Sequence, residues 1–294
     1  MIIPPALCKG SRLAVIAPSG PFDRALLFRA MGWISPHFKL VFEPGLFARD
    51  GLFAGSDHRR RAELERWIGN PDVDALVVAR GGHGLIRITS AIDWGALRER
   101  PAWLVGFSDA TLLHLEAWKA GVASLHAANL ASLGRSDLQA RETWLKALME
   151  PMYPRTLEGQ GWTSGRVRGP LVGGNLTLLF AASAARRLEL PSGCILAIED
   201  IQETSYRVDR MLASLKIAGH FDKVAGFAVG EFTDCSVGPH GVPTNHVLRS
   251  ELLPLGVPVV AELPFGHGRN NQPLLIGPDA ELDGSTETLR LGNC

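Results

Sequence analysis

Apolar residues in the first half of the chain fall in short unbroken runs, each about the length of a strand. Leu13-Ala14-Val15-Ile16-Ala17, Lys39-Leu40-Val41-Phe42, Ala75-Leu76-Val77-Val78-Ala79 and Ala102-Trp103-Leu104-Val105-Gly106 are the four runs. Continuous rather than alternating apolar character predicts strands covered on both faces. Between the second and third runs, Ser56-Asp57 caps a predicted helix that reaches Ile68 and stops at Gly69-Asn70-Pro71. After the fourth, Leu112, Leu113, Leu115 and Trp118 recur at helical spacing and predict a helix over 109–120. Strands alternating with helices predict an α/β domain built on a parallel sheet.

The pattern changes in the second half. Residues 151–168 are polar and carry Pro151, Pro154, Gly159, Gly161 and Gly165. They read as a linker between a first domain, 1–150, and a second, 169–294. Gly174-Asn175 opens a predicted helix; strands are predicted over 194–198 and 224–232, with a helix over 206–217 between them. Beyond Pro258 the chain breaks into short strands and turns, which predicts a smaller α+β domain with a curled sheet.

A chain of 294 residues with 46% hydrophobic content can bury two ordinary cores. Thirty basic and thirty acidic residues cancel, which leaves no global field to hold nucleic acid or an anionic membrane. The densest basic cluster, Arg59-Arg60-Arg61, is interleaved with Asp57, Glu63 and Glu65 and predicts a solvated helix face. No apolar run approaches the ~20 residues of a membrane span, and Met1 to Leu7 lacks the features of a secretion signal, so the cytoplasm is the expected location. Cys8, Cys194, Cys235 and Cys294 show no C-x-x-C spacing, so neither a zinc site nor a disulfide framework is expected.

Gly106-Phe107-Ser108-Asp109-Ala110 places a serine where an apolar strand turns into a helix. The crowded turn demands small residues two before and two after the serine, here Gly106 and Ala110. Such a turn lifts the hydroxyl above the sheet and aims the first helical N–H groups at an oxyanion beside it. A Ser-Asp pair in this position would also serve as a helix cap. Arg80-Gly81-Gly82-His83-Gly84 follows the third strand, and its glycines let the backbone approach a ligand. The N–H groups of Gly82 and Asp109 would then form the two halves of an oxyanion hole.

A serine nucleophile needs a base within reach and an acid that orients the base. Among nine histidines, His267 stands out in the polar loop Gly266-His267-Gly268-Arg269-Asn270-Asn271 at a strand end. His83 is the rival base, whereas His114 and His126 fall where core or capping roles fit. For the acid, Glu199 ends the strand Ile195-Leu196-Ala197-Ile198-Glu199-Asp200, with Asp200 as the alternative. Acid and base would come from the second domain and the nucleophile from the first, which predicts a cleft site between domains. No G-x-G-x-x-G follows the first strand, so dinucleotide binding lacks support.

Taken in order, eight segments resemble the serine LD-carboxypeptidase family, whose members trim muropeptides and which includes a microcin C-resistance branch. They are Leu13-Ala14-Val15-Ile16-Ala17-Pro18-Ser19-Gly20-Pro21, Ala79-Arg80-Gly81-Gly82-His83-Gly84, Gly106-Phe107-Ser108-Asp109 and Gly173-Gly174-Asn175-Leu176. Leu196-Ala197-Ile198-Glu199-Asp200, Tyr206-Arg207-Val208-Asp209-Arg210-Met211-Leu212, Val224-Ala225-Gly226-Phe227 and Pro264-Phe265-Gly266-His267-Gly268 continue the series. The resemblance implies a Rossmann-like first domain, a smaller barrel-like second domain and a homodimer. It implies Ser108 as nucleophile, Glu199 and His267 as the rest of a triad, and the Gly82 and Asp109 N–H groups as the oxyanion hole, with no metal or cofactor.

The expected reaction is hydrolysis of the amide before the terminal D-alanine of a murein tetrapeptide, a small peptide substrate, by way of an acyl-enzyme. Arg80 is the candidate for the substrate's terminal carboxylate. Asn175 would hydrogen-bond substrate or cap a helix. Peptidyl-nucleotide hydrolysis is the alternative, an α/β-hydrolase esterase a more distant one, and a non-catalytic binding module a third. The chain departs from the family's habit at His83, at His126-Ala127-Ala128 and at Gln272-Pro273-Leu274-Leu275, which bears on substrate choice.

Overall fold

Each of the four apolar runs supplies a strand in the computed structural model, which describes residues 1–293. The chain divides into two units: residues 1–151 with 272–277, and residues 152–271 with the chain from 278 onward. Unit 1 contains β1 (Arg12–Ile16), α1 (Arg24–Ile34), β2 (Lys39–Val41), α2 (Asp57–Trp67), β3 (Ala75–Val78) and α3 (Gly95–Glu99). It continues with β4 (Trp103–Gly106), α4 (Thr111–Ala120), β5 (Ser124–His126), α5 (Leu130–Leu133) and α6 (Leu138–Met149). Five strands are parallel in the order β5-β4-β3-β1-β2, and a sixth, Leu274–Ile276, joins β5 antiparallel. The strands β1, β3 and β4 are buried along nearly their whole length, as covered parallel strands must be.

The strand order reverses beside β1, which connects to β2 on one side while β3 pairs on the other. Ligand crevices of open α/β sheets form beyond the carboxyl ends of strands at such a switch. There the loops after β1 and β3 meet: the Gly20 N–H donates to the Gly81 carbonyl at 3.1 Å.

The arginine run on α2 does not form a solvated face. Arg60 is fully buried and donates to the Pro18 carbonyl at 2.6 Å. Arg59 donates to the carbonyls of Ala17 and Ala54 at 2.7 and 2.8 Å and pairs with Glu63, whose Oε2 accepts the Ala17 N–H at 2.7 Å. The chain leaving β1 has buried peptide groups without a strand neighbour, and α2 turns inward to satisfy them. Only Arg61, paired with Glu65 at the surface, behaves as the charge pattern predicts.

Unit 2 is built on an eight-stranded mixed sheet. Its chain runs β6 (Arg155–Glu158), β7 (Gln160–Gly161), β8 (Arg166–Asn175), α7 (Leu176–Ala184), β9 (Cys194–Ile201), α8 (Ser205–Ile217), β10 (Val224–Thr233), α9 (Thr244–Leu252) and β11 (Val259–Ala261). The chain then crosses to unit 1 as β12, the strand Leu274–Ile276, and returns as β13 (Asp279–Asp283) and β14 (Thr288–Leu291). The strands β8 to β11 are parallel neighbours, extended by antiparallel β13, β14 and β6 on one side and β7 on the other. The outermost strands β6 and β7 are separated in the chain by Gly159 alone, so the sheet curls until its edges meet. The segment expected as a linker, 151–168, therefore supplies both edge strands and the start of β8. Its Gly and Pro content marks close turns within a curled sheet rather than a loose connection.

Candidate functional site

In unit 1, β4 delivers Phe107 in an extended conformation and then Ser108 at φ +64°. A serine held in the left-handed region is strained by about 1–3 kcal/mol and persists only where its surroundings fix it. A tight turn over Ser108–Ala110 follows, and α4 begins at Thr111 without a side-chain cap. The Asp109 side chain instead points inward, fully buried, and accepts the Leu85 N–H at 3.0 Å. Burial pushes its carboxyl above the usual range, against the pull of Ser19 and that N–H. Ser108 itself is half-buried.

The loop after β3 packs directly on Ser108. A β-carbon on Gly81 would lie 2.9 Å from the Ser108 Cβ and 3.1 Å from its Oγ. Gly82, at φ +105°, is exposed, as is His83. Arg80 is exposed, and its guanidinium donates to the Pro21 carbonyl. His114 is fully buried, with Nε2 and Nδ1 each 2.9 Å from the Gly106 carbonyl and the Ser124 hydroxyl. Burial lowers its pKa to about 4, so the ring is neutral, donating from Nε2 and accepting at Nδ1. His126 is also fully buried, packed near Phe107 and His114.

In unit 2, Glu199 lies near the end of β9 and His267 in the loop after β11. Glu199 Oε2 sits 2.7 Å from His267 Nδ1, with the carboxylate at 0% and the imidazole at 13% side-chain exposure. Burial raises the Glu199 pKa, the imidazole opposes that shift, and the Asp200 charge adds to it. With a carboxylate acceptor at Nδ1, the neutral ring carries its proton there and keeps its basic lone pair on Nε2. Asp200 cannot compete for the imidazole. Its oxygens accept from the Asn175 amide, the Ile201 N–H, and the Thr177 N–H and hydroxyl, all within 2.9 Å. Asn175 is buried, and its Oδ1 accepts the Leu178 N–H at 3.2 Å, so it caps α7.

Two residues at these positions escape sequence reasoning. Glu231 places its carboxylate where a side chain on Gly268 would be, with a β-carbon there only 1.3 Å from Oε2. Burial and the neighbouring Glu199 charge raise the Glu231 pKa. A cavity of about 480 Å³, lined by Glu231, Thr233, Asn245, Leu248 and Glu262 among others, adjoins it in the same unit. The alternating glycines around His267 are the available signal for Glu231. The second is Asn129, which bonds both backbone groups of Phe107 and has no sequence signal of its own.

Among the described residues no cluster of His, Cys, Asp or Glu could hold a metal ion, and no helix is long and apolar enough to cross a membrane. Cys8, Cys194 and Cys235 are free thiols, and Cys294 lies outside the described residues. The structure thus joins Glu199 with His267 in one unit, and Ser108 with the Gly81-Gly82 loop in the other.

The descriptions of two family domains match this chain: an LD-carboxypeptidase N-terminal domain over residues 13–127 and an LD-carboxypeptidase C-terminal domain over residues 168–282. A Synechocystis sp. protein bearing a carboxypeptidase name is 38% identical over 292 residues, 97% of this chain and 96% of its own length. The murein tetrapeptide carboxypeptidase of Pseudomonas aeruginosa is 30% identical over 288 residues, 93% of this chain and 94% of that protein. Among solved structures, a microcin self-immunity protein in complex with glutamyl sulfamoyl guanosine superposes with a TM-score of 0.91 at 20% identity, covering 100% of this chain and 99% of that one. At that identity the likeness is one of fold.

Proposed function

The chain belongs to the LD-carboxypeptidase family, and from that premise we propose that it hydrolyses the amide before the terminal D-alanine of murein tetrapeptides through an acyl-enzyme on Ser108. The observation that carries this reading is the 2.7 Å bond between Glu199 and His267, a buried carboxylate fixing one tautomer of an imidazole.

In this mechanism Ser108 Oγ attacks the carbonyl carbon as His267 Nε2 takes its proton. Glu199 stabilises the imidazolium that forms. The Gly82 and Asp109 N–H groups receive the oxyanion, a contribution of about 3 kcal/mol for each donor. His267 then gives the proton to the departing D-alanine nitrogen, leaving an ester on Ser108. Water, deprotonated by the same ring, cleaves that ester and restores the hydroxyl. Arg80, exposed and anchored through Pro21, offers its remaining N–H groups to the substrate's terminal carboxylate. The reading requires Ser108 Oγ to reach His267 Nε2. It carries with it a cytoplasmic homodimer that works without metal.

Incubation with a murein tetrapeptide and, separately, a peptidyl-nucleotide, followed by mass spectrometry of released D-alanine or nucleotide, tests the proposal. Release of D-alanine by the wild type and none by Ser108→Ala is expected. Turnover undiminished in Ser108→Ala would end it, and release of nucleotide alone would move the activity to the peptidyl-nucleotide class.

A further inference from the structure

The turn that carries Ser108 is braced by a side chain the mechanism does not use. The β4–β5 ladder ends at Gly106 opposite His126, where the Ala127 N–H donates to the Gly106 carbonyl at 3.0 Å. The next residue of β4's path, Phe107, lies past the end of that ladder, because the chain after β5 turns away into α5. Asn129 takes that place with its amide: Oδ1 accepts the Phe107 N–H at 3.2 Å and Nδ2 donates to the Phe107 carbonyl at 3.3 Å. Both residues are buried, Asn129 at 2% and Phe107 at 5% exposure, and the Phe107 carbonyl also accepts the Ala110 N–H at 3.3 Å.

The same short segment reaches the loop on the other side of Ser108. The Ala131 N–H donates to the carbonyl of Ala79, just past β3, at 2.9 Å, and Arg80-Gly81-Gly82 continues from that point. A β-carbon on Gly81 would stand 3.3 Å from Asn129 Nδ2, and one on Gly106 would stand 2.9 Å from Asn129 Oδ1. Asn129 therefore lies against both the strand end that leads into Ser108 and the loop that presents Gly82.

We propose that Asn129 is a positioning residue. By clamping both peptide groups of Phe107 it holds Ser108 in its left-handed conformation and fixes the hydroxyl against the Gly82 and Asp109 N–H groups. The assignment rests on the reading of Ser108 as nucleophile. Reacting groups must be held within about 0.5 Å, and a displacement of about 1 Å can lower the rate roughly 100-fold. A group acting this way lowers the barrier without contributing to substrate affinity, so its loss falls on kcat.

The test compares Asn129→Leu, which removes both bonds at similar volume, with Asn129→Asp, which turns an oxygen toward the Phe107 carbonyl. Asp137→Ala serves as a stability control, since it removes the α6 cap that accepts the Ala140 N–H at 2.8 Å. Three quantities are read at a temperature where every variant is folded. They are the rate at which a fluorophosphonate probe forms an Oγ–P bond on Ser108 with loss of fluoride, kcat and KM on the tetrapeptide, and thermal unfolding. Both Asn129 variants are expected to lose about 10–100-fold in probe rate and in kcat, with KM within about 3-fold, while Asp137→Ala keeps both rates.

Wild-type rates in the Asn129 variants, a loss confined to KM, or an equal loss in Asp137→Ala would overturn the assignment. Should Asn129→Leu not fold, Asn129→Ala, which also removes both bonds, carries the same comparison. Probe labelling that survives Ser108→Ala defeats the reading of Ser108, and this proposal with it. Labelling abolished by Ser108→Ala but unchanged in the Asn129 variants defeats the Asn129 assignment alone.

Discussion

The backbone of Gly266 lies in contact with the side chain of Glu199. A β-carbon on Gly266 would come within 3.0 Å of both Glu199 Cβ and Oε2, and the residue sits at φ +120°, a conformation that glycine adopts and other residues avoid. The next residue is His267. The glycine thus lets the loop close until the imidazole reaches its carboxylate. In Gly266→Ala the loop must retreat, and kcat is expected to fall at least about 10-fold, with roughly 1–3 kcal/mol lost in stability. Urea unfolding alongside steady-state kinetics checks this; a variant with wild-type kcat would show that the pairing does not depend on the close approach.

Glu199→Gln is expected to separate activity from stability. The amide oxygen still accepts from Nδ1 but cannot offset an imidazolium, so kcat should fall about 10²–10⁴-fold. Because burial raises the Glu199 pKa, the folded chain holds this proton more tightly than the unfolded chain does. Folding stability from this group is therefore present at low pH and lost as pH rises above the ordinary carboxylate range. The variant, which never ionises, should be at least as stable as the wild type at neutral pH, with the gap widening upward. Asp200→Ala should do the opposite to stability, because it strips partners from Asn175, Thr177 and Ile201. Calorimetry of Glu199→Gln across pH 5–8 that shows a growing deficit would contradict the argument.

His114 should make part of the protein's acid sensitivity. Its pKa drops from an ordinary 6.5 to about 4 on folding, so the unfolded chain binds the proton more tightly. Its contribution is fully present above pH 6.5 and is lost as pH falls toward 4. The drop from 6.5 to about 4 corresponds to roughly 3 kcal/mol. Unfolding free energies at several pH values between 7 and 4 should show a shallower decline in His114→Gln than in the wild type. Parallel curves would remove His114 from the account.

Much of this was legible because the residues concerned act locally. The runs that became β1, β3 and β4 are covered on both faces, and a continuous apolar stretch reports that directly. By contrast β8, which begins Arg166-Val167-Arg168-Gly169-Pro170, hides its strand character because its outer half pairs antiparallel at a more exposed part of the sheet. The choice between Glu199 and Asp200 could not be made from adjacent letters. Successive strand residues face opposite ways, and only the fold says which carboxylate meets His267 and which meets Thr177. Arg60 and Asn129 were illegible for a related reason: their partners are main-chain groups 42 and 22 residues away, and backbone carbonyls leave no trace in composition.

The strand Leu274–Ile276 belongs to the first sheet although the chain on both sides of it belongs to the second. Neither half can therefore be obtained by a single cut. Expression of residues 1–151 alone would leave β5 with an open edge, a template for pairing with other chains, while the remainder would carry an orphaned apolar tripeptide. Newly made protein faces the same restriction, since the first sheet stays unfinished until synthesis has passed Ile276 of the 294 residues.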